Sequence, residues 1–328
     1  MMGRREFLLA LAASSFAVNL AGPATAQDYP SRPITVVVPF PAGGPTDAVG
    51  RIVADRMRAS LGQSVIVENV AGAGGSVGIG RVARAAPDGY TIALGIWSTQ
   101  VVNAAIYALP YDVVKDFEPV ALLANSPLVI AAKKAVPADD LEGLIAWLKA
   151  NPDKALQGTA GVGTPPHIAG VLFQDITDTR YQFVHYRGSA PATQDLVAGQ
   201  IDFVIDSPVT LLPQARAGSI KVYAVTTKSR LASAPAIPTV DEAGLPGFQL
   251  SVWLGFFAPK GTPKPIVERL NAAAVEAVAI PEVRAKFAEL GLELFPRDQE
   301  TPAVLAAMQK ADIDKWWPVI KAAGIKAE

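Results

Sequence analysis

Short β-branched apolar runs alternate along the chain with longer stretches in which apolar residues recur every three or four positions. Ile34-Thr35-Val36-Val37-Val38 predicts a buried strand. Pro39 to Pro45 predicts a Gly/Pro loop, and Ala48, Ile52, Val53, Ala54, Met57 and Leu61 form the apolar face of a helix that Gly62 stops. Val65 to Val70 is the next strand, followed by a Gly-rich loop and a helix through Val77, Val82 and Ala86. Pro87-Asp88-Gly89 is a turn ahead of the strand Tyr90 to Ile96. Strand, loop, helix and strand in this rhythm predict a largely parallel sheet covered by helices.

The middle of the chain repeats the pattern. Asp139-Asp140-Leu141-Glu142 starts a helix carrying Leu144, Ile145 and Leu148. Strands at Leu156–Ala160, Tyr181–His185, Phe203–Ile205 and Lys221–Val225 alternate with helices near Pro166–Gln174, Pro191–Ala198 and Val209–Ala217. The tail reads as three helices, Pro263–Ala279, Pro281–Leu290 and Pro302–Ala323, each with Pro in or near its first turn. Leu128–Lys134 and Leu254–Lys260 are similar apolar runs, both ending Ala-x-Lys-x-x-Pro. They fit the outgoing and returning crossings between two α/β lobes, and equally a chance echo in an Ala/Pro-rich chain. The crossing reading makes the first lobe discontinuous, residues 27–130 plus 255–328, around a second lobe of residues 131–254.

Composition narrows the chemistry. The 328 residues are half apolar and 18% charged, which describes a globular chain long enough for about two domains. A net charge of −1 without a basic block argues against a nucleic-acid partner. The absence of Cys removes thiol catalysis, disulfides and Cys-ligated metals, and His167 and His185 alone cannot build a His-rich metal site. No metal and no cofactor are expected. Arg4-Arg5, the apolar stretch Phe7 to Leu20 and Ala24-Thr25-Ala26 form an export signal over residues 1–26, with a cleavage site after Ala26. The arginine pair followed by Phe7-Leu8 also fits a twin-arginine signal. Export to the periplasm, where no nucleotide pool exists, leaves binding, hydrolysis or a structural role.

Four Gly-rich loops follow predicted strands: Phe40–Asp47, Ala71–Ser76, Gly158–Thr164 and Tyr186–Ala190. A loop between a strand and a helix start gathers backbone N–H groups and the positive helix end, which suits an anion. Four such loops point to an anion-binding cleft at the strand ends. Gly78-Ile79-Gly80-Arg81-Val82-Ala83 fits G-x-G-x-x-A but lies inside a predicted helix, so it is not a dinucleotide site. Gly74-Gly75-Ser76-Val77-Gly78 fits the nucleophile turn of an esterase. A secreted serine hydrolase using Ser76 is therefore the alternative, although its His should come late in the chain and both histidines come early.

Phe40-Pro41-x-Gly43-Gly44-x-x-Asp47, Gly72-x-Gly74-Gly75, Leu109-Pro110-Tyr111-Asp112, Asp116-Phe117-x-Pro119-Val120, Gly161-x-Gly163-Thr164-x-x-His167, Tyr186-Arg187-Gly188-Ser189-x-Pro191-Ala192, Gly199-Gln200-Ile201-Asp202 and Trp253-x-Gly255-x-x-Ala258-Pro259-x-Gly261-Thr262-Pro263 occur in that order. Together they resemble the substrate-binding proteins of tripartite tricarboxylate transporters, the Bug receptor family, from about Tyr29 onward. The resemblance implies a monomeric, two-lobed α/β periplasmic binding protein of type II (Venus flytrap), each lobe a mostly parallel sheet flanked by helices. It implies a carboxylated solute (a dicarboxylate, amino acid or aromatic acid), a membrane permease as partner and no catalysis.

The resemblance places Phe40, Pro41, Ala42, Gly43, Gly44 and Asp47 at one ligand carboxylate. Trp97, Ser98 and Thr99 would line the cleft after their strand, and Trp97 would stack on a ligand ring or wall the pocket. From the second lobe come Ala160, Gly161, Thr164 and His167, then Arg187, Gly188, Ser189 and Ala190, with Asp206 at a strand end on the same edge. Several have plainer readings. Asp47 fits an ordinary first-turn acid, and His167 a residue that orients a helix start by bonding backbone. His185 fits a strand residue satisfied by a neighbour. Arg187 fits either a ligand carboxylate or a structural pair with Asp202 or Asp206. Trp316 and Trp317 read as core anchors of the last helix.

Overall fold

In the computed structural model, which describes residues 29–326, two sheets organise the chain from Arg32 onward. The expected export signal lies outside the described residues. The first sheet begins as a doubly wound unit: β1 (Ile34–Val38), α1 (Pro45–Leu61), β2 (Val65–Asn69), α2 (Ser76–Ala83) and β3 (Thr91–Ile96). β1 pairs in parallel with β2 on one side and β3 on the other. Val36, Val37 and Val38 are fully buried, and burying each such side chain stabilises the fold by about 1.5–3 kcal/mol. α1 lays Val49, Val53, Met57 and Leu61 inward and ends at Gly62, whose φ of +66° lets its N–H reach Arg58 O.

A π-helical turn (Ser98–Val102) and a single helical turn, α3 (Asn103–Ile106), follow β3. The chain then runs through β4 (Phe117–Pro127) and, with only Leu128 between, enters β5 (Val129–Lys133) of the second sheet. There α4 (Leu141–Ala150), β6 (Leu156–Thr159), α5 (Pro165–Thr177), β7 (Gln182–His185), α6 (Ser189–Val197), β8 (Phe203–Asp206), α7 (Pro208–Arg216) and β9 (Ile220–Val225) follow in turn. β10 (Ser251–Pro259) returns to the first sheet. α8 (Lys264–Ala279), α9 (Pro281–Glu289), β11 (Glu293–Leu294) and α10 (Pro302–Ala322) complete the chain. The lobe limits expected at 130/131 and 254/255 fall inside β5 and β10.

The strand orders are β11-β4-β10-β3-β1-β2 and β7-β6-β8-β5-β9. Each sheet thus contains the same three-strand parallel core, β2-β1-β3 in one and β7-β6-β8 in the other. The two-lobed α/β class holds, but each sheet is mixed rather than mostly parallel. β10 runs antiparallel to β3 and β4, and β5 antiparallel to β8 and β9. The cause is topological: strands joined by a helix come out parallel, whereas those feeding the crossings turn back on their neighbours. The tail helices are fixed to the rest of the first lobe by side-chain bonds to backbone. Gln309 Nε2 donates to Gln100 O and Val113 O, and Asn271 Nδ2 to Val120 O and Glu300 O.

Both crossings meet at Thr226. Its N–H donates to Leu128 O at 3.0 Å, and its hydroxyl oxygen accepts from Leu128 N at 2.8 Å. The same hydroxyl lies 2.5 Å from Leu250 O on the returning segment, and Leu250 N–H reaches Thr226 O at 3.3 Å. One buried hydroxyl therefore ties the outgoing strand to the returning one. Thr226→Val, which keeps the shape and removes the hydroxyl, should cost about 1–3 kcal/mol because it leaves buried backbone groups short of a partner. Urea unfolding checks this; a change of a few tenths would show that the clasp carries no stability.

Candidate functional site

The loops that leave β1, β6 and β7, together with the end of β8, face one another across a small cavity of about 80 Å³. In open α/β sheets this is the ligand edge, beyond the carboxyl ends of the parallel strands at the switch point of strand order. Phe40, Pro41, Ala42, Gly44, Pro45 and Thr46 line it from the β1–α1 loop, with Ile96 at the end of β3. Ser126, Leu128, Val252 and Leu254 form its back wall on the crossing strands. The second lobe adds Ala160, Thr164, Pro165 and Pro166, then Arg187 to Pro191, and lastly Asp206 and Ser207.

Three of the helix starts at this cavity carry no side-chain cap, whereas Ser207 caps α7 by accepting from Val209 N. Gly44 precedes α1, Thr164 precedes α5 and Gly188 precedes α6, each without a side-chain capping bond. First-turn amides of a helix have no partner within it, and prolines decide which of them exist here. Pro45 removes one donor at α1, leaving Thr46 and Asp47; Pro165 and Pro166 remove two at α5. α6 keeps Ser189 and Ala190. The N–H groups suited to an anion therefore come from α1 and α6, on opposite walls, while α5 contributes pyrrolidine rings. The positive ends of the helix dipoles add to the effect.

Asp47 sits behind its loop instead of in the cavity. Its Oδ2 accepts from Gly43 N and Arg51 Nε, both at 2.9 Å, and its Oδ1 accepts from Asn69 Nδ2, which also donates to Phe40 O. Burial pushes the carboxyl up, but the Arg51 guanidinium, the Gly43 N–H and the Asn69 amide outweigh it and hold it below the usual range. Asp47 and the neighbouring Gly43 thus shape the Phe40–Gly44 loop and do not line the cavity.

Trp97, Ser98 and Thr99 depart from the expectation that they line the cleft. Thr99 Oγ1 accepts from Ile96 N and donates to Ile96 O, both at 3.0 Å, which curls the chain away after Ile96. All three residues are buried, and Trp97 packs edge-on against Trp316 at 5.2 Å between centroids. Trp97 instead borders a separate 260 Å³ pocket near Trp253 and Asp312. Gly161 and His167 line a wider opening of about 860 Å³ outside the cavity, with Tyr107 and His185. Thr164 donates its hydroxyl to Gly161 O at 2.6 Å. Phe40, Pro41, Ala42, Gly44, Ala160, Thr164, Arg187, Gly188, Ser189, Ala190 and Asp206 are brought together at the cavity.

Arg187 has no side-chain partner among the described residues. Asp202 pairs with Lys133 at 2.8 Å and accepts from Leu156 N, while Asp206 Oδ1 accepts from Ser189 Oγ at 3.0 Å and Ser207 N at 2.7 Å. The guanidinium therefore remains uncommitted at the junction of cavity and opening. Burial drives the Asp206 carboxyl up to about 6, against the pull of the Ser207 and Ser189 hydrogen bonds.

Side-chain contacts hold the lobes together, and periodicity along the chain gives no sign of them; away from the cleft, Arg216 Nη2 on α7 donates to Glu289 O at the end of α9 at 3.1 Å. Tyr107 donates its hydroxyl to Val162 O across the opening at 3.0 Å, and Ser126 Oγ lies 3.0 Å from Ser207 Oγ behind the cavity. Gly163, at φ +76°, fits against Ile106 where a Cβ would stand 2.4 Å from its Cδ1. Leu128, Val252 and Leu254 were equally hidden as site residues, because an apolar strand residue reads as core whichever way it faces.

The geometry does not support a serine nucleophile. Ser76 Oγ accepts from Asn103 Nδ2 at 2.9 Å. His167 Nδ1 accepts from Gly163 N, and His185 Nδ1 lies 2.7 Å from Thr159 Oγ1, so neither imidazole serves Ser76 as a base. Among the described residues no cluster of His, Asp and Glu could hold a metal ion, and no helix is long and apolar enough to cross a membrane.

Two α/β lobes that meet over an apolar cavity ringed by uncapped helix starts define a bilobal solute-binding protein. Comparison with known proteins places the chain more closely. The family described as "Tripartite tricarboxylate transporter family receptor" matches residues 49–325, and the chain belongs to it. The periplasmic binding protein BugD is 37% identical, with a TM-score of 0.87 over 92% of this chain and all of that one. MatC from Rhodopseudomonas palustris, solved with bound malate, is 39% identical, with a TM-score of 0.85 over 89% of this chain and all of that one. An R. palustris protein solved with adipate is 33% identical, with a TM-score of 0.87 over 91% of this chain and 99% of that one.

The buried ionisable groups predict an opposed pH response. Burial, with His185 beside it, lowers His167 to about 4, whereas an unfolded His titrates near 6.5. The neutral imidazole thus contributes stability above about pH 6.5 that is lost as the pH falls toward 4. Asp206, raised to about 6 from an unfolded value of about 3.9, binds its proton earlier when folded and so gains stability over much the same descent. His167→Gln, which keeps an acceptor for Gly163 N–H, should therefore lose less stability than the wild type between about pH 6.5 and 4.5. Melting temperatures that fall in parallel for the two proteins would contradict a neutral buried His167.

Proposed function

We propose that this protein is a non-catalytic periplasmic receptor that closes its lobes over a small carboxylate and presents it to the membrane permease of a tripartite-type transporter. The observation that carries the reading is the meeting of uncapped α1 and α6 starts, on opposite walls of one cavity, beside the uncommitted Arg187. A carboxylate oxygen accepts from such amides in the way it would from water, and the fixed dipoles need no rearrangement to receive it. The malate- and adipate-bound relatives support a carboxylate as the ligand, and the export signal read over residues 1–26 supports the compartment. The amides of Thr46 and Asp47 at the start of α1 and of Ser189 and Ala190 at the start of α6 hold the carboxylate, the Phe40–Gly44 loop walls it in, and Arg187 adds the charge. Ala160, Thr164 and the apolar crossing strands set the length and breadth of what fits. Contacts from both walls are complete only in the closed form, so the ligand stabilises closure by its preference for that form. Release to the permease then requires the lobes to separate.

The test is thermal unfolding of the purified protein against a panel of mono-, di- and tricarboxylates, amino acids and aromatic acids, with amides of the same skeletons as controls. One carboxylate class should raise the melting temperature in a concentration-dependent way, by about 2.7 kcal/mol of added stability at a hundredfold excess over Kd. The matching amides should be silent. Arg187→Gln should weaken the response at least tenfold in apparent Kd without lowering the ligand-free melting temperature. Equal shifts with acids and amides, or none with any acid, would overturn the carboxylate reading.

A further inference from the structure

Among the described residues, Asp206 and Arg187 are the only charged side chains that line the cavity. Asp206 is 3% exposed, and the protein uses only its Oδ1, for the Ser189 hydroxyl and the Ser207 N–H. Oδ2 has no hydrogen-bond partner among the described residues. The groups packed around it offer it no cation. β5 sets Val129 opposite it in the ladder, α6 presents Ser189 and α7 presents Ser207. Across the cavity stand Ser126, Leu128, Val252 and Leu254. A half-used carboxyl in such surroundings is costly to leave unpaired. It also repels a second carboxylate placed against it.

We propose that Asp206 sets the class of ligand: a carboxylate that also carries a hydrogen-bond donor, an ammonium or a hydroxyl, which bonds to Asp206 Oδ2 while the carboxylate lies toward Arg187 and the α1 and α6 amides. The inference rests on the carboxylate reading above and narrows it. A plain dicarboxylate brings an acceptor where the site already has one. A ligand donor fills the unused valence and, as an ammonium, also offsets the buried charge. Sites built to hydrogen-bond a ligand group discriminate strongly against the analogue that lacks it, because their own polar atom is left unpaired.

Two matched series test this on the purified full chain by titration calorimetry near pH 7.5: succinate, malate and aspartate, then glutarate, 2-hydroxyglutarate and glutamate. Within a series the length is constant and only the substituent beside one carboxylate changes. The inference expects a donor-bearing member to bind at least tenfold more tightly than its parent diacid. Preference for the amino over the hydroxy member identifies the donor as ammonium, and the reverse identifies it as hydroxyl. Asp206→Asn keeps an oxygen for Ser189 and Ser207 but loses the charge, and it should shrink the preference to within about threefold. A parent diacid that binds as tightly as both its derivatives would overturn the inference and leave the carboxylate receptor standing, as would an undiminished preference in the Asn variant. Silence from both series and from the whole acid panel would overturn both.

Discussion

An anion taken from water into an apolar cleft must find its hydrogen bonds already in place, and this constraint runs through the whole structure. In the binding mode proposed here the donors are backbone amides at helix starts, so the site depends on where helices begin. Each lobe supplies those beginnings from the same three-strand parallel core, which brings loops to one edge of its sheet. Prolines in the first turns then decide which amides exist: α1 and α6 keep donors, whereas α5 trades two of them for apolar rings. The buried Asp47, with Asn69 and the exposed Arg51 bonded to it, holds the loop backbone in the shape that presents these amides.

The chain joins the two lobes through a narrow region. Between the sheets the chain passes through Leu128 going out and through the segment after Val225 coming back, and Thr226 joins the two. The tail helices are bonded to the first lobe, and α9 also reaches the second lobe where Glu289 O accepts from Arg216 Nη2 at 3.1 Å. The closed arrangement rests on few direct contacts, Tyr107 with Val162 and Ser126 with Ser207 among them. A closed state held this lightly leaves a ligand with donors and acceptors on both walls able to bias the equilibrium. The bias equals its differential affinity for the closed form and can be no larger.

Much of the fold was legible in the sequence because period and punctuation agree. The β-branched runs became β1, β2 and β3, Gly62 ended α1, and Asp140 capped α4 by accepting from Gly143 N. β4 was hidden, since Phe117–Pro127 is an apolar run without alternation, and such a run fits strand or helix. The candidate loops were visible through their glycines and prolines, which serve backbone geometry and so leave a mark on local sequence. Trp97 misled because its place after a strand says nothing about the turn that follows. Thr99 closes that turn through both polar groups of Ile96 and sends the indole to Trp316. Arg187 was ambiguous for the opposite reason: whether a charge is paired depends on distant residues, and only the fold shows Asp202 taken by Lys133. The run from Leu254 was legible as a returning crossing, but nothing in an apolar run shows that Val252 and Leu254 face a cavity.

The central claim is that the lobes close on a carboxylate held from both sides. The chain has no Cys, so a pair of spin labels can be attached at cysteines introduced for the purpose. The exposed Val77 on α2 and Ile176 on α5 place one label on each lobe. Double electron–electron resonance with and without the carboxylate that raises the melting temperature measures the distance directly. The account predicts a longer or broader distribution in the free protein that narrows on addition of the acid to the distance set by the structure described here, and no change with the amide of the same skeleton. A distribution that the acid leaves unaltered while binding is shown by calorimetry would contradict closure as the means of capture.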